Sequence, residues 1–375
     1  MAAGSKELLI KNGVVITLDS QLGVIDPGAV LTRNGLVAQV GPSQQLAAAH
    51  QQAQVTDARG RIVLPGMINV HDHLYSAFAR GMSLVGRPPR NFPEILKKLW
   101  WRLDKVLTLE DVYTSALVGL MECIKAGTTT IIDHHASPHA AQGSLAEVAR
   151  AFRETGLRGV LCYEVSDRDG PEIAREGISE NAQFLASCRG NPMLAGLFGL
   201  HASFTVSDRT LEAAREASGG AGFHIHLAED LADIRLSVDK YRRRPVRRLL
   251  DLGILGPKTI TAHGVHLSPA ELDMIGESGT VITHQPQSNM NNAVGYAQVR
   301  RMLQAGVLVG MGTDGMTQSL FDEARVAPLL MRHEAKDPRV GWAEVPRLLL
   351  NNREIAGKYF PTPLGRLAPG AAGDV

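Results

Sequence analysis

Cysteine is scarce: Cys123, Cys162 and Cys188 are the only three in 375 residues, and no two of them form a CxxC pair. They read as reduced thiols of a cytoplasmic protein, not as a disulfide framework. Charge of one sign is lacking too. Lys and Arg total 39 against 38 Asp and Glu, a net charge of +1, so the chain carries no electrostatic footprint for nucleic acid or for an acidic membrane surface. No apolar run reaches the length of a membrane span, and Met1–Val14 lacks a signal-peptide core. Repeats of solenoid period and low-complexity tracts are missing as well. What remains is 44% hydrophobic and 21% charged, the balance of a soluble globular protein with one large domain, or a large domain and a smaller companion.

Up to Leu64 the pattern is of short strands and tight turns. Leu8–Ile10, Val14–Leu18, Val30–Thr32, Leu36–Val40 and Arg61–Leu64 are strand-like, and Asn34-Gly35 is a hairpin turn signal. This predicts part of a small β-sandwich over 1–64. After Pro65-Gly66, short apolar strands alternate with helical patterns. Eight strand candidates follow: Met67–His73, Thr128–His134, Arg158–Val165, Leu194–His201, Gly222–Leu227, Thr259–His263, Thr280–His284 and Val307–Thr313. Amphipathic stretches lie between most of them, including Leu109–Ala126, Leu145–Thr155, Ser207–Ala217 and Val246–Leu252. Thr108 and Asp111 form a capping-box variant before the first of these, and Gly127 follows its end. This alternation predicts an α/β fold, a (β/α)8 TIM barrel over 65–364. A doubly wound sheet would need a phosphate-type glycine loop after its first strand, and none is present. Met82–Trp101 makes a long excursion after the first strand, as a lid or substrate wall does.

The 13 histidines are not scattered. His71 and His73 end the first predicted strand, His134 and His135 the second, His201 the fourth, His263 the sixth and His284 the seventh. His224 and His226 lie on the fifth, and only His50 and His333 fall well away from strand ends. Two His-x-His pairs occur where random placement would give about 0.5. Residues i and i+2 of a strand face the same way, so His71 and His73 can both point inward while Asp72 points out, toward the helices or a neighbouring loop. Two inward imidazoles suit Zn2+ or Fe2+, and a third imidazole with a carboxylate would complete a site with one position left for water. His226 is the candidate third ligand. Asp314, ending the eighth strand beside the first, is the candidate fourth, against its alternative as a turn aspartate before Gly315.

Several stretches then resemble the amidohydrolase superfamily: Leu64-Pro65-Gly66-Met67-Ile68-Asn69-Val70-His71-Asp72-His73, His224-Ile225-His226-Leu227-Ala228-Glu229, Thr261-Ala262-His263 and Gly312-Thr313-Asp314. The likeness is to its cytosine-deaminase and chlorohydrolase-like branch. Tyr75–Gly81, Leu99–Lys105, Asp133–Pro138, Cys162–Gly170 and Gly199–Thr205 are similar to the SsnA-type aminohydrolases within it. The resemblance implies one divalent metal, zinc foremost with Fe2+ as the alternative, held by His71, His73, His226 and Asp314. Binuclear relatives use a bridging lysine on strand four, and no lysine occurs from Leu194 to His201. Glu164 is either an extra carboxylate ligand or a polar residue orienting its neighbours.

The implied reaction is removal of an amino group, as ammonia, from an aminated heterocycle by metal-activated water, on cyclic amidines. Hydrolytic dehalogenation and a non-catalytic barrel paralogue are the alternatives. Glu229 takes the general acid/base role, His263 holds or polarises the water or substrate, and Asp314 accepts the water's proton while ligating the metal. His201, Arg80, His134 and Tyr75 are the expected substrate contacts, with His135 and Trp100 near them. His224 is expected to pack, and Arg102, Arg242–Arg244 and Arg247-Arg248 to lie on solvated helix faces. The implied partners are a small-molecule substrate and, as an option, further copies of the chain, with no nucleic acid and no membrane.

Two departures stand out. The family's usual His-Thr-His is His71-Asp72-His73 here, and its His-Asn-Pro-Glu-Ser-Asn is His284-Gln285-Pro286-Gln287-Ser288-Asn289. Leu367–Val375 resembles the point where family chains re-enter the sandwich and continue. A truncated return over 365–375, leaving apolar strand edges exposed, is therefore expected.

Overall fold

The computed structural model describes residues 7–84 and 86–375; Met1–Lys6 and Val85, within the Met82–Trp101 excursion, lie outside them. The chain divides into two compact units, one of residues 1–68 with 356–375 and one of residues 69–355.

The first unit is built on a five-stranded mixed sheet: β1 (Glu7–Ile16), β2 (Val24–Arg33), β3 (Leu36–Pro42), β4 (Gln54–Asp57) and β5 (Ile62–Val63). β2 and β3 form the hairpin marked by Asn34-Gly35, which takes φ of 52° and 79° at its two turn residues. The two predicted strands Leu8–Ile10 and Val14–Leu18 are one strand. Its register shifts around Gly13, next to Asn12 at φ 58°, which hides its continuity from period-two reading. β4 escaped sequence reading because it is four exposed residues on the sheet edge, with no buried face to set an alternation. One face of this single sheet packs Leu9, Ala29 and Leu31 against Leu46 of the helix Ser43–Ala49; the other packs Val15, Val30 and Val37 with Leu367.

In the second unit lie β6 (Met67–Asp72, which starts just before it), β7 (Thr128–His135), β8 (Arg158–Tyr163), β9 (Leu194–Gly196), β10 (Phe198–Ala202), β11 (Phe223–Leu227), β12 (Ile260–His263), β13 (Val281–His284) and β14 (Val309–Met311). They pair in parallel as β6-β7-β8-β9 and β10-β11-β12-β13-β14. The predicted fourth strand divides at Leu197: Leu194–Gly196 pairs with β8, and Phe198–Ala202 pairs with β11. One strand thus changes neighbours partway along its length. Parallel bridges join Val165 to Leu200 and Asp72 to Asp314, linking the two sheets at both edges into a (β/α)8 barrel. Nearly every strand residue here is buried, as expected of strands covered on both faces.

The covering helices begin and end where their caps dictate. Leu109–Lys125 starts with a full capping box between Thr108 and Asp111; Pro269–Ser278 starts with one between Ser268 and Glu271 and stops at Gly279, φ 70°.

The seam between β6 and the segment after β14 decides where the site forms. Gly312 passes so close to β6 that a Cβ there would lie 2.7 Å from His71 O and 2.8 Å from His71 Cβ. Thr313 N and Asp314 N both donate to His71 O at 3.0 Å. Asp72 meets the neighbouring loop, as expected. It is buried in this seam, accepting from Asn69 Nδ2 at 2.7 Å and Thr313 Oγ1 at 3.0 Å. Burial and the neighbouring Asp133 push its carboxyl well above the usual range.

Candidate active site

The strand ends bring His71, His73, His226, His263 and Asp314 together at one end of the barrel. His73 Nδ1 donates to the carbonyl of His134 at 2.6 Å, and His226 Nδ1 donates to that of His201 at 2.8 Å. A carbonyl can only accept, so in both rings the proton is on Nδ1 and Nε2 keeps its lone pair. Those two Nε2 atoms lie 3.1 Å apart. Asp314 Oδ1 sits 3.2 Å from His73 Nε2 and 3.8 Å from His71 Nε2. Burial depresses the pKa of all three imidazoles, which disfavours the imidazolium forms that could relieve the contact.

The result is a convergence of the His73 and His226 lone pairs with the Asp314 carboxylate beside His71 Nε2. His71 Nε2 is fully buried with no hydrogen-bond partner among the described residues. Three neutral imidazoles and a carboxylate held in this way fit a divalent cation of the zinc type. The backbone carbonyls that fix the His73 and His226 tautomers are the outer contacts such ligands require. His224, expected only to pack, instead places its Nε2 2.9 Å from His71 Nδ1 and so fixes the orientation of that ring.

Glu229 and His263 stand over the cluster. Glu229 Oε2 lies 3.4 Å from His263 Nε2, and Oε1 accepts from Asn292 Nδ2 at 3.3 Å. Burial, reinforced by the charge of Asp314, raises the Glu229 carboxyl well above its ordinary range. His263 takes φ 74°; its Nδ1 meets Asn289 Oδ1 at 2.9 Å, and its Nε2 is buried without a hydrogen-bond partner among the described residues. Asp314 is likewise at positive φ, 54°, and accepts from Gly315 N and from Ser288 Oγ. Burial acts to raise its pKa, but His73 and His263 outweigh that and hold it below the usual value. Gln285, which departs from the family pattern, accepts from His263 N, while Ser288 and Asn289, which match it, bind Asp314 and His263.

A pocket opens over these residues. Of the expected substrate contacts, Tyr75 and His201 line it. Arg80 does not: its guanidinium is bound to Glu122 and Gln318. His134 is buried behind the wall, its Nε2 donating to the carbonyls of Leu200 and His224. Trp100 lines the cavity, and so do Trp101 and Asp104, which sequence reading did not single out. The cause is a π-helical turn over Leu96–Trp100, in which Trp101 N reaches back to Leu96 O. Arg248 corrects another expectation. It is 1% exposed and binds Ser203, Val206 and Asp208, because the loop after β10 leaves carbonyls that require donors.

The chain belongs to the amidohydrolase family, which it matches over residues 62–374. It is 32% identical to a 5'-deoxyadenosine deaminase of Methanosarcina mazei over 98% of this chain and 83% of that protein. It is also 32% identical to a 5-methylthioadenosine/S-adenosylhomocysteine deaminase of Syntrophobacter fumaroxidans, over 92% of this chain and 78% of that one. In fold it resembles an adenosine deaminase of Xanthomonas campestris with bound zinc, at a TM-score of 0.83 and 23% identity, covering 98% of this chain and 83% of the other. No helix among the described residues is long and apolar enough to cross a membrane, and the three cysteines are free and buried.

Proposed function

We propose that the chain is a divalent-metal-dependent aminohydrolase that releases ammonia from an aminated heterocycle, in keeping with the deaminases it is similar to. The observation that carries the reading is the meeting of His73 Nε2, His226 Nε2 and Asp314 Oδ1 beside Glu229, whose carboxyl burial raises above its ordinary range. His71, His73, His226 and Asp314 would hold the cation, with zinc the best match to three imidazoles and one carboxylate and Fe2+ as the alternative. When bound, it supplies Lewis acidity and lowers the pKa of a coordinated water to about 7.

The remaining steps belong to side chains. Glu229, its carboxyl raised by burial, delivers a proton to a ring nitrogen, which makes the adjacent carbon electrophilic. As the C–N bond breaks, the proton that Asp314 takes from the water passes to the amine, which leaves as ammonia, and Glu229 regains a proton from the newly added hydroxyl as it becomes the carbonyl. His263, its Nδ1 turned to Asn289, presents Nε2 as an acceptor that orients the attacking water. Asp314, 3.8 Å from His263 Nε2, receives that water's proton. Tyr75, Trp100 and Trp101 provide the apolar walls that hold a flat ring.

The test is metal content by elemental mass spectrometry together with ammonia release from a panel of aminated heterocycles. About one zinc or iron per chain is expected. Glu229→Gln should keep the metal and lose turnover by a factor of roughly 10²–10⁴. Full activity in that variant removes Glu229 from the reaction, and a folded protein that takes up no metal removes the reading itself.

A further inference from the structure

Glu229 does not reach the pocket by simple continuation of its strand. His224 and His226 of β11 both face the barrel interior, where they meet His71 and His73, and extended backbone alternates sides. Glu229 stands three residues after His226, so an unbroken strand would aim it at the covering helices. The turn at Ala228 reverses that direction. Ala228 takes φ 51°, in the left-handed region that a residue with a Cβ adopts only at a cost, and it is fully buried.

Two sets of hydrogen bonds hold this turn. On its carbonyl side, Ala228 O accepts from His266 N at 2.9 Å and Leu227 O from Gly264 N at 3.0 Å. On its amide side the partner is a side chain: Ala228 N donates to Asp233 Oδ2 at 2.8 Å. Asp233 lies in the first turn of the helix Leu231–Tyr241 and is buried. Burial pushes its carboxyl up to about 7, so the fold keeps an acid where its charge is disfavoured, as functional sites do.

This bond is not ordinary helix capping. Asp230 and Asp233 have the spacing of a capping box, and Asp230 caps the helix by accepting from Ala232 N at 2.8 Å. In the boxes that start at Thr108 and Ser268 the second acid returns to the N–H of the cap itself. There Asp111 Oδ2 accepts from Thr108 N at 2.9 Å, and Glu271 Oε2 from Ser268 N at 3.0 Å. Asp233 reaches further back, to the N–H of the residue before Glu229.

Asp233 does not line the pocket over the cation ligands, whereas Glu229 does. Glu229 also borders a small crevice with Phe92, Phe204, Asp230 and Asp233, which offers its carboxyl another position. We propose that Asp233 is a positioning residue for Glu229: by holding the N–H of Ala228 in the left-handed turn, it keeps the Glu229 carboxyl facing His263 and the cation ligands. Its effect on rate rests on the aminohydrolase reading above; its effect on geometry does not.

The test compares zinc-loaded wild type, Asp233→Ala and Asp233→Asn for ammonia release from adenosine, guanine, cytosine and melamine. A misplacement of about 1 Å costs roughly 100-fold in rate, so kcat per bound zinc should fall by that order in Asp233→Ala. KM should change by less than about three-fold, with zinc content unchanged. Asp233→Asn keeps an acceptor oxygen at the same reach and should recover about ten-fold of the loss. Asp233→Ser, polar but too short for the bond, should show the same loss if Asp233→Ala does not fold. Added to Glu229→Gln, Asp233→Ala should cost nothing further, because the two side chains act as a unit. Crystal structures of metal-free wild type and Asp233→Ala, which need no turnover, should show Glu229 Oε2 leaving its place 3.4 Å from His263 Nε2.

A kcat per zinc within about three-fold of wild type in Asp233→Ala overturns the inference, and lower yield of folded protein with that kcat makes the residue structural only. An equal further loss in the Glu229→Gln background, or a Glu229 that stays against His263 in the crystal, overturns it as well. If wild type takes up zinc yet releases no ammonia from any probe, the aminohydrolase reading fails. The displacement of Glu229 in Asp233→Ala then decides the positioning by itself.

Discussion

Gly312→Ala tests whether the barrel seam positions the site. The added methyl would lie 2.7 Å from His71 O, 2.8 Å from His71 Cβ and 2.9 Å from His71 N. Ordinary carbon contacts are 3.5–4.0 Å, so the two segments must part by roughly 0.7 Å. None of the obstructing atoms belongs to a flexible side-chain end, so no rotamer change relieves the clash. Overpacking of this kind costs about 1–3 kcal/mol. Separation also stretches the bonds from Thr313 N and Asp314 N to His71 O, each worth about 0.5–1.5 kcal/mol.

The expected loss is therefore about 2–5 kcal/mol in the urea unfolding of metal-free protein, with an unchanged m-value. The same displacement moves Asp314 away from His71 and His73. Metal ligand distances tolerate only about ±0.2 Å, so zinc affinity, measured by competition with a chromogenic chelator, should fall on the order of 10- to 100-fold. A Gly312→Ala protein that unfolds at the wild-type urea concentration and binds zinc as tightly would refute the reasoning, for then the close approach to His71 is not what holds Asp314.

Arg248→Met keeps most of the buried volume but removes the donors to Ser203 Oγ, Val206 O and Asp208. It should destabilise the protein by about 3 kcal/mol, with Arg248→Lys recovering only part of that because it lacks the planar fork; a midpoint of urea unfolding within 0.5 kcal/mol of wild type would contradict this. Glu323, buried with Oε1 unpartnered among the described residues, is pushed up to about 8 by burial against the bond from Gln287 N. Its proton is retained in the folded state between pH 4.5 and 8 while the unfolded chain releases it, so this group's contribution to stability declines as pH rises through that window. Glu323→Gln should flatten the pH dependence and, at pH 8, gain on the order of 3 kcal/mol relative to its difference at pH 4.5; parallel stability-against-pH curves for the two proteins would show the carboxyl to be free of that penalty.

Much of this molecule is legible without coordinates. Period-two placement puts His71 and His73 on one face, and the alternation of apolar strands with capped helices implies a barrel whose strand ends carry function. Thr108 with Asp111, Asn34-Gly35 and Gly127 mark turns and helix ends through chemistry confined to a few neighbouring residues. That information is local, and local sequence determines it. Tertiary closure decided the rest. His73 and His226 are 153 positions apart, and only the ring of strands and its register bring their lone pairs to 3.1 Å. The same closure buries Asp72 in the seam, turns Arg80 toward Glu122 and Gln318, seals Arg248 beneath the loop after β10, and brings Glu164 to His134 and His201. Sequence period fixes which face of a strand a residue occupies. Which atoms meet across the barrel, and which of them hold the protons, depends on distances between segments that share no local signal.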